Sequence, residues 1–537
     1  MPFFVKPENR PENGLEHDMS LQFPASFPRE ISKRELIKNT PAFKESGYRY
    51  SRVLKSGKSA SFLQKGSRLW AKSLLRAFGF GSGINLDLSR CTELLVHNDT
   101  VSVSPKRNLN PSLTNVVKRF IREIDRGHDD YLMELKTYLD PQIRLQVEHD
   151  VVDKHWFSLA GSSVFLKEYG YHLMVSRLEY SPDGSRNNPK FSFAYAQLYD
   201  SNWKEVNDVG LVVPTNINDG DRFFTVDDQH YTITHYPAML PVPFYHDYAQ
   251  PDMKYLGPED PRLILVRNKD GHEEPALIYN SYHQKKASVD DDEDGVLVKE
   301  HMYFRSMWVS WGWQFQRGKF AVEDNHNPDF DNRIYNRVKE LKIKNSKREK
   351  TQKNWTPFVS EHSRQEFGYD KHLLFVYRWA YLHILKCDIT SEKGKCGFSY
   401  TAQDNMKVTS KVGPLRGGTP MVNLNTIIRE HTQMPLKDLI PQGREIWVGF
   451  ARAHFVECGC GKDFYRPNLV VIVKDPASNE DAKHRDMYRI SHISSFTSLD
   501  VEAISWDPLR PLDLCVGTNA IIPNGISEWT AHNIAHW

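Results

Sequence analysis

The chain has 537 residues, with 70 Lys and Arg against 68 Asp and Glu, for a formal charge of +2. That balance argues against nucleic acid as the main partner, because phosphate binding shows as a basic excess. No run of about 18 or more apolar residues occurs, so no segment reads as a membrane-spanning helix. The opening MPFFVKPENRPENG has too short an apolar part for a signal peptide. Aromatic residues make up 12% of the chain. Exposed rings stack on the apolar faces of sugars, so a carbohydrate site is a reasonable expectation.

Residues 1–150 read differently from 151–537. Irregular Ser-, Lys- and Arg-rich stretches come first. Then TNVVKRFIREIDRGHDDYLMELKTYL sets Val117, Phe120, Ile121 and Ile124 at helical spacing, and Tyr131, Leu132, Leu135 and Leu139 resume it after Gly127. This predicts two amphipathic helices packed on the next domain.

From Trp156 the pattern becomes short strands, from WFSLAGSSVFLKEYG through HMYFRSMWVSWGWQFQRG to MYRISHISSF, joined by turn-like D-S-N, N-K-D-G and E-K-G-K. Many short antiparallel strands predict a mainly β fold, a propeller or a large sandwich, and no WD-type repeat gives a blade number. The acidic SVDDDEDGV (288–296), with Asp290 and Asp292, reads as a surface loop. The basic 337–354 reads as a solvated excursion.

Six cysteines occur. Cys458-Gly-Cys460 lacks the second pair that a metal site needs, while Cys387 and Cys396 flank a turn and could bridge a hairpin. Cys91 and Cys515 add no pattern. Asn98-Asp99-Thr100 and Asn354-Trp355-Thr356 are glycosylation sequons, which fit a secretory-lumen protein.

The stretch YLGPEDPRLIL (255–265) sets Glu259, Asp260 and Arg262 around Pro261 before an apolar strand. Proline pushes Asp260 toward extended geometry, and alternation then puts Asp260 and Arg262 on one face with Glu259 on the other. An arginine on that face would favour ionised Asp260. Taken alone, this is also what a strand-opening ion pair looks like.

GPEDPR, FRSMW, KNWTPF, VYRW, GGTP, ARAHF, YRPNLV and IPNGIS follow in order across residues 255–527. Together they resemble the yeast β-mannosyltransferases of cell-wall mannan (glycosyltransferase family 91). The E-D-P-R element also resembles the β-mannoside phosphorylases of glycoside hydrolase family 130, which are five-bladed β-propellers. The resemblance implies a five-bladed propeller with an N-terminal partly helical region. It implies transfer of mannose from GDP-α-mannose to mannoside acceptors with inversion, chiefly as β-1,2 linkages, with no cofactor or metal required. It also implies a Golgi-lumenal type II membrane protein whose N-terminal anchor this sequence lacks.

By position in E-D-P-R, Asp260 is the proton-transfer residue, acting in synthesis as the base on the acceptor hydroxyl. Arg262 would keep it ionised, and Glu259 would orient the loop or bind a mannose hydroxyl. The leaving diphosphate calls for convergent basic and amide donors. The candidates are Arg305, Lys353 with Asn354, Arg416, and Arg452 with His454. In an extended ARAHF the last two share a face, which suits an anion clamp. Gly417 and Gly418 would let backbone approach a ligand. Trp355, Tyr377 and Trp379 are candidates for stacking or for core.

Three rival readings are a metal-dependent transferase using Asp290 and Asp292, a β-mannoside phosphorylase or hydrolase, and a non-catalytic mannan-binding propeller. The metal reading lacks the strand–helix alternation of a nucleotide-binding α/β domain. The lectin reading leaves the charged E-D-P-R element and the basic set without a purpose.

Overall fold

The structure is a computed structural model. It describes residues 20–45, 53–54, 104–127, 129–186, 188–245, 256–288, 299–323, 328–346, 349–391, 394–402, 415–431, 440–458, 462–476, 487–496, 499 and 520–530. The opening MPFFVKPENRPENG, the Asn98 sequon, the acidic segment with Asp290 and Asp292, and Cys91, Cys460 and Cys515 lie outside the described residues. No helix among the described residues is long and apolar enough to cross a membrane.

Two compact units divide the chain. Asn110–Leu265 and His272–Lys339, with the described N-terminal residues, form the first. Val266–Gly271 and the chain from Glu340 onward belong to the second.

The two predicted helices form as Leu113–Arg126 and Asp130–Leu139. Each start is capped locally: the Ser112 side chain accepts from Asn115 N, and that of Asp129 from Leu132 N. Gly127 ends the first helix in the left-handed conformation that glycine adopts without penalty. Val117, Phe120, Ile124, Leu132 and Leu135 are buried in one cluster with Trp156, Leu178 and Phe193 of the neighbouring sheet, so helical spacing has become packing. Buried Glu134 adds polar anchoring by accepting from Lys319 Nζ at 2.7 Å and from the Tyr335 hydroxyl.

Among the described residues, 24 strands form five sheets. In the first unit, one sheet has Val209–Pro214 and Gln229–Tyr236 at its centre and is extended in parallel by Ser20–Gln22. A second is built on Trp156–Leu166, Tyr171–Tyr180 and Phe191–Tyr199. A third runs in chain order through Glu259–Arg267, Glu273–Ser288, Lys299–Arg317 and Ile334–Glu340.

In the second unit, one sheet holds Thr356–Phe358, His372–Arg378, His383–Asp388, Lys395–Thr401 and Lys342–Ile343. The other holds Leu415–Arg416, Val422–Asn423, Glu445–Cys458, Lys462–Asp475 and Met487–Phe496. Cys387 and Cys396 stand opposite each other in register and form a disulfide, closing the hairpin that their spacing suggested.

The basic segment 337–354 departs from its reading as a solvated excursion only at its start, and most of its described residues from 342 on are exposed or half-buried. Its first residues complete the strand Ile334–Glu340, where Val338 and Lys339 are buried. Arg337 and Lys339 both lie over the Trp311 ring, so these cations cover an aromatic face of the core.

Candidate active site

The G-P-E-D-P-R turn is held by a close approach that only glycine permits. Gly257 has φ +107°, and a Cβ there would stand 1.9 Å from Ser192 O. Ser192 N donates to Leu256 O at 2.8 Å, and Ser192 Oγ donates to Pro258 O at 2.5 Å.

The next turn of the backbone differs from the expected extended entry. Asp260 has φ +48°, in the left-handed region that costs a non-glycine residue on the order of 1–3 kcal/mol. The backbone at Asp260 therefore departs from the regular extended geometry on which the alternation rested. Arg262 is buried, and its Nη1 donates to the Asp260 backbone carbonyl at 3.2 Å, bracing the turn from within. A guanidinium from another sheet also reaches the Asp260 carboxylate: Arg177 Nη1 lies 3.7 Å from Oδ1.

Arg177 organises the cluster. It stands on Tyr171–Tyr180, two residues from Glu179 and so on the same face. Its Nη2 lies 2.9 Å from Glu179 Oε1 and 3.3 Å from Glu259 Oε2, and its Nε donates to Ser192 Oγ at 2.9 Å. Glu259 Oε2 also accepts from Arg305 Nη2 at 2.5 Å. Arg305 Nε donates to Asn280 Oδ1 at 2.6 Å, and Asn280 Nδ2 donates to Glu259 O at 3.3 Å. Arg305 is opposite Tyr282, and Asn280 opposite Met307, so the pairing register puts both polar groups on one face of the hairpin.

Glu179, Glu259 and Asp260 thus gather around the Arg177 and Arg305 guanidiniums. Glu179, Glu259 and Arg177 are buried, while the Asp260 side chain keeps 28% of its surface exposed. Burial is the largest cause of the Glu259 shift and pushes its carboxyl up to about 7; Arg177 and Arg305 oppose the shift, and Asp260 and Glu179 add to it. Burial likewise raises Glu179. Glu259 Oε1 is buried with no hydrogen-bond partner, which fits a carboxyl that takes up a proton readily. Of the two roles expected for Glu259, orienting the loop or binding a mannose hydroxyl, its burial and its ion pairs with Arg177 and Arg305 fit the first.

The second unit gathers cations. Alternation along Glu445–Cys458 sends Ala451 and Ala453 into the core and puts Arg452 and His454 together on the other face. The register sets Arg416 directly opposite Arg452. Like charges facing across a strand pair cost stability unless something anionic joins them. His454 lies flat on Tyr465, with ring centroids 4.5 Å apart and planes at 7°, and the Arg452 guanidinium sits over the same ring at 5.2 Å. Arg452 Nη2 donates to Asn354 Oδ1 at 2.6 Å. Asn354, at φ +65°, turns the chain just before Thr356–Phe358, with exposed Lys353 beside it.

Gly418 has φ +142°, and a Cβ there would meet Phe450 O at 2.0 Å. Gly418 therefore permits close packing on the neighbouring strand. Trp355 and Trp379 are buried, and Tyr377 is half-buried.

Of the residues singled out from the sequence, Glu259, Asp260, Arg262 and Arg305 lie in one cluster of the first unit. Asn354, Arg416, Arg452 and His454 lie together in the second, with Lys353 adjoining. The sequence reading missed Arg177, Glu179 and Asn280. The available signal was a charged pair in SRLEY at strand spacing inside an otherwise apolar segment. Among the described residues no group of three or more His, Cys, Asp and Glu has a metal-holding arrangement.

Comparison with known proteins then gives the family. The profile of the Beta-mannosyltransferases matches residues 90–537. Beta-mannosyltransferase 8 of Candida albicans is 44% identical over 447 residues, covering 83% of this chain and 62% of its own length. Beta-mannosyltransferases 2 and 1 of the same organism are 38% and 37% identical, covering 84% and 81% of this chain and 64% and 62% of their own lengths. The chain spans a little under two thirds of the length of these relatives. A solved N-acetylgalactosamine deacetylase from F. plautii aligns over 64% of this chain and 74% of its own, at 8% identity and a TM-score of 0.27, too low to bear on the fold. A profile match over residues 90–537, holding both the carboxylate cluster and the cationic face, settles the family: the chain belongs to the β-mannosyltransferases.

Proposed function

We propose that the chain is an inverting β-mannosyltransferase that moves mannose from GDP-α-mannose to mannoside acceptors of cell-wall mannan. The observation that carries this reading is Asp260: a partly exposed carboxylate, at a strained backbone position, mounted on a buried Arg177–Glu259–Arg305 frame. Backbone strain and clustered titratable groups mark functional sites.

In the proposed step the Asp260 carboxylate takes the acceptor hydroxyl proton, directly or through a sugar hydroxyl. The acceptor oxygen bonds to mannose C1 from the face opposite GDP. The C1–O bond to the diphosphate breaks, and GDP leaves with the electron pair. Arg416, Arg452 and His454, with Asn354 holding Arg452, are assigned to the departing diphosphate, whose charge fixed cations offset without a metal. Arg305 is assigned to Glu259 and supports the base.

The five four- or five-stranded sheets are read as blades of a five-bladed propeller. A Golgi-lumenal location fits a mannan-building activity and the disulfide.

Incubation with GDP-mannose and a panel of α- and β-mannosides, with NMR of the product, tests the reading. Released GDP and a new β-anomeric signal are expected, and both should persist after EDTA treatment. Retention of configuration overturns it. Phosphate-dependent release of mannose 1-phosphate from β-mannobiose, without use of GDP-mannose, replaces it with the phosphorylase reading.

A further inference from the structure

A set of rings in the second unit has no part in the chemistry described so far. Tyr377 packs edge-on against Phe398 with centroids 5.5 Å apart, and His383 packs edge-on against Phe398 at 5.8 Å. Tyr381 tilts against His383 at 6.2 Å. These are not core rings: Phe398 is 39% exposed and Tyr381 36%. Register shifts at Val376/Arg378 and Ile384/Leu385 fall at this same end of the sheet, where bulges re-aim side chains.

The ring set adjoins the cationic face at two points. Trp355 packs on Tyr377 at 5.5 Å, and its chain neighbour Asn354 accepts from Arg452. Trp379 Nε1 donates to Gly417 O at 3.0 Å, next to Arg416. A nucleoside diphosphate carries a flat base and a diphosphate on one ribose, and an aromatic platform joined to an arginine pair matches both parts. A carboxylate borders the platform: Glu349 Oε1 accepts from the Tyr377 hydroxyl at 3.3 Å. A carboxylate can accept from both N1–H and the N2 amino group of guanine, a donor pair that a pyrimidine base lacks. The Arg378 guanidinium covers the Tyr377 ring at 5.2 Å, which leaves Phe398 and Tyr381 as the stacking surfaces.

We infer that Phe398 and Tyr381 stack the base of a nucleoside diphosphate whose phosphates lie on Arg416 and Arg452, with Glu349 selecting guanine. This deepens the proposed function and rests on its leaving-group assignment.

Calorimetry with GDP, UDP, inorganic pyrophosphate and mannobiose tests it on the full chain, the Phe398→Ala/Tyr381→Ala double variant and Glu349→Gln. The substituted rings are exposed, and a thermal melt confirms that each variant is folded. GDP affinity is expected to fall about tenfold or more in the double variant, as loss of base stacking does, while pyrophosphate affinity holds. Glu349→Gln should narrow the preference for GDP over UDP. Unchanged GDP affinity in the double variant overturns the platform, and so does loss of mannobiose binding with GDP binding intact. A wild-type chain that binds pyrophosphate as tightly as GDP removes the base site alone. One that binds neither removes the leaving-group assignment with it.

Discussion

The two charged regions solve opposite electrostatic problems. Around Asp260, Glu179 and Glu259 gather with it about Arg177 and Arg305 in a mostly buried network, and burial pushes the Glu259 carboxyl up to about 7. On the cationic face, pairing sets Arg416 against Arg452, with His454 on the same side. A self-contained network suits a group that must exchange a proton at a fixed position. A face with same-sign neighbours suits a group that waits for an anion. Burial makes the first region sensitive to the loss of any one partner, because a stranded charge is costly. In the second, exposed Arg416 can be replaced at little cost in stability, whereas Arg452 is buried.

The largest expected effect sharpens this contrast. Asp260→Asn keeps the shape and removes the proton acceptor, so turnover should fall by about 100-fold or more while GDP affinity holds, by steady-state kinetics and calorimetry. Near-wild-type turnover would end the assignment of the base to the carboxylate cluster.

Gly257→Ala attacks the mount and leaves the acid in place. With Ser192 O 1.9 Å from the new Cβ and φ at +107°, we expect a loss of about 3 kcal/mol or more in denaturant unfolding. A change below about 0.5 kcal/mol would show that the turn relaxes freely and that Asp260 is not held by it.

On the cationic side, Arg452→Ala should weaken GDP binding about tenfold, with mannobiose binding unaffected. Arg416→Gln should do the same and leave the ligand-free protein as stable or slightly more so, by up to about 0.5 kcal/mol, because a like-charge pair is relieved. Unchanged GDP binding together with a large loss of stability in Arg416→Gln would make this face structural.

The smallest effect is in pH dependence. Glu259 has its carboxyl raised from 4.5 to about 7, so folding takes up a proton between those values. Its contribution to stability is present below about pH 4.5 and is lost as pH rises through 7. Glu259→Gln should flatten the melting temperature across that window. An unchanged slope would mean that Glu259 is ionised throughout and that burial is offset by Arg177 and Arg305.

Features governed by near neighbours were legible from residue order. The helices Leu113–Arg126 and Asp130–Leu139 follow from apolar spacing and from caps three residues away. The Cys387–Cys396 bridge follows from a short hairpin, and the shared face of Arg452 and His454 from alternation in a regular strand. The Asp260 turn defeated the same reasoning. Its left-handed backbone depends on Gly257 lying against Ser192, more than sixty residues earlier, and Arg177 reaches its carboxylate from another sheet. The facing of Arg416 and Arg452 depends on a register between segments thirty-six residues apart. The raised pKa of Glu259 depends on how completely the fold removes water from it. Capping and alternation act through bonds and immediate neighbours, whereas register, desolvation and charge pairing are set by which distant strands the closed chain brings into contact.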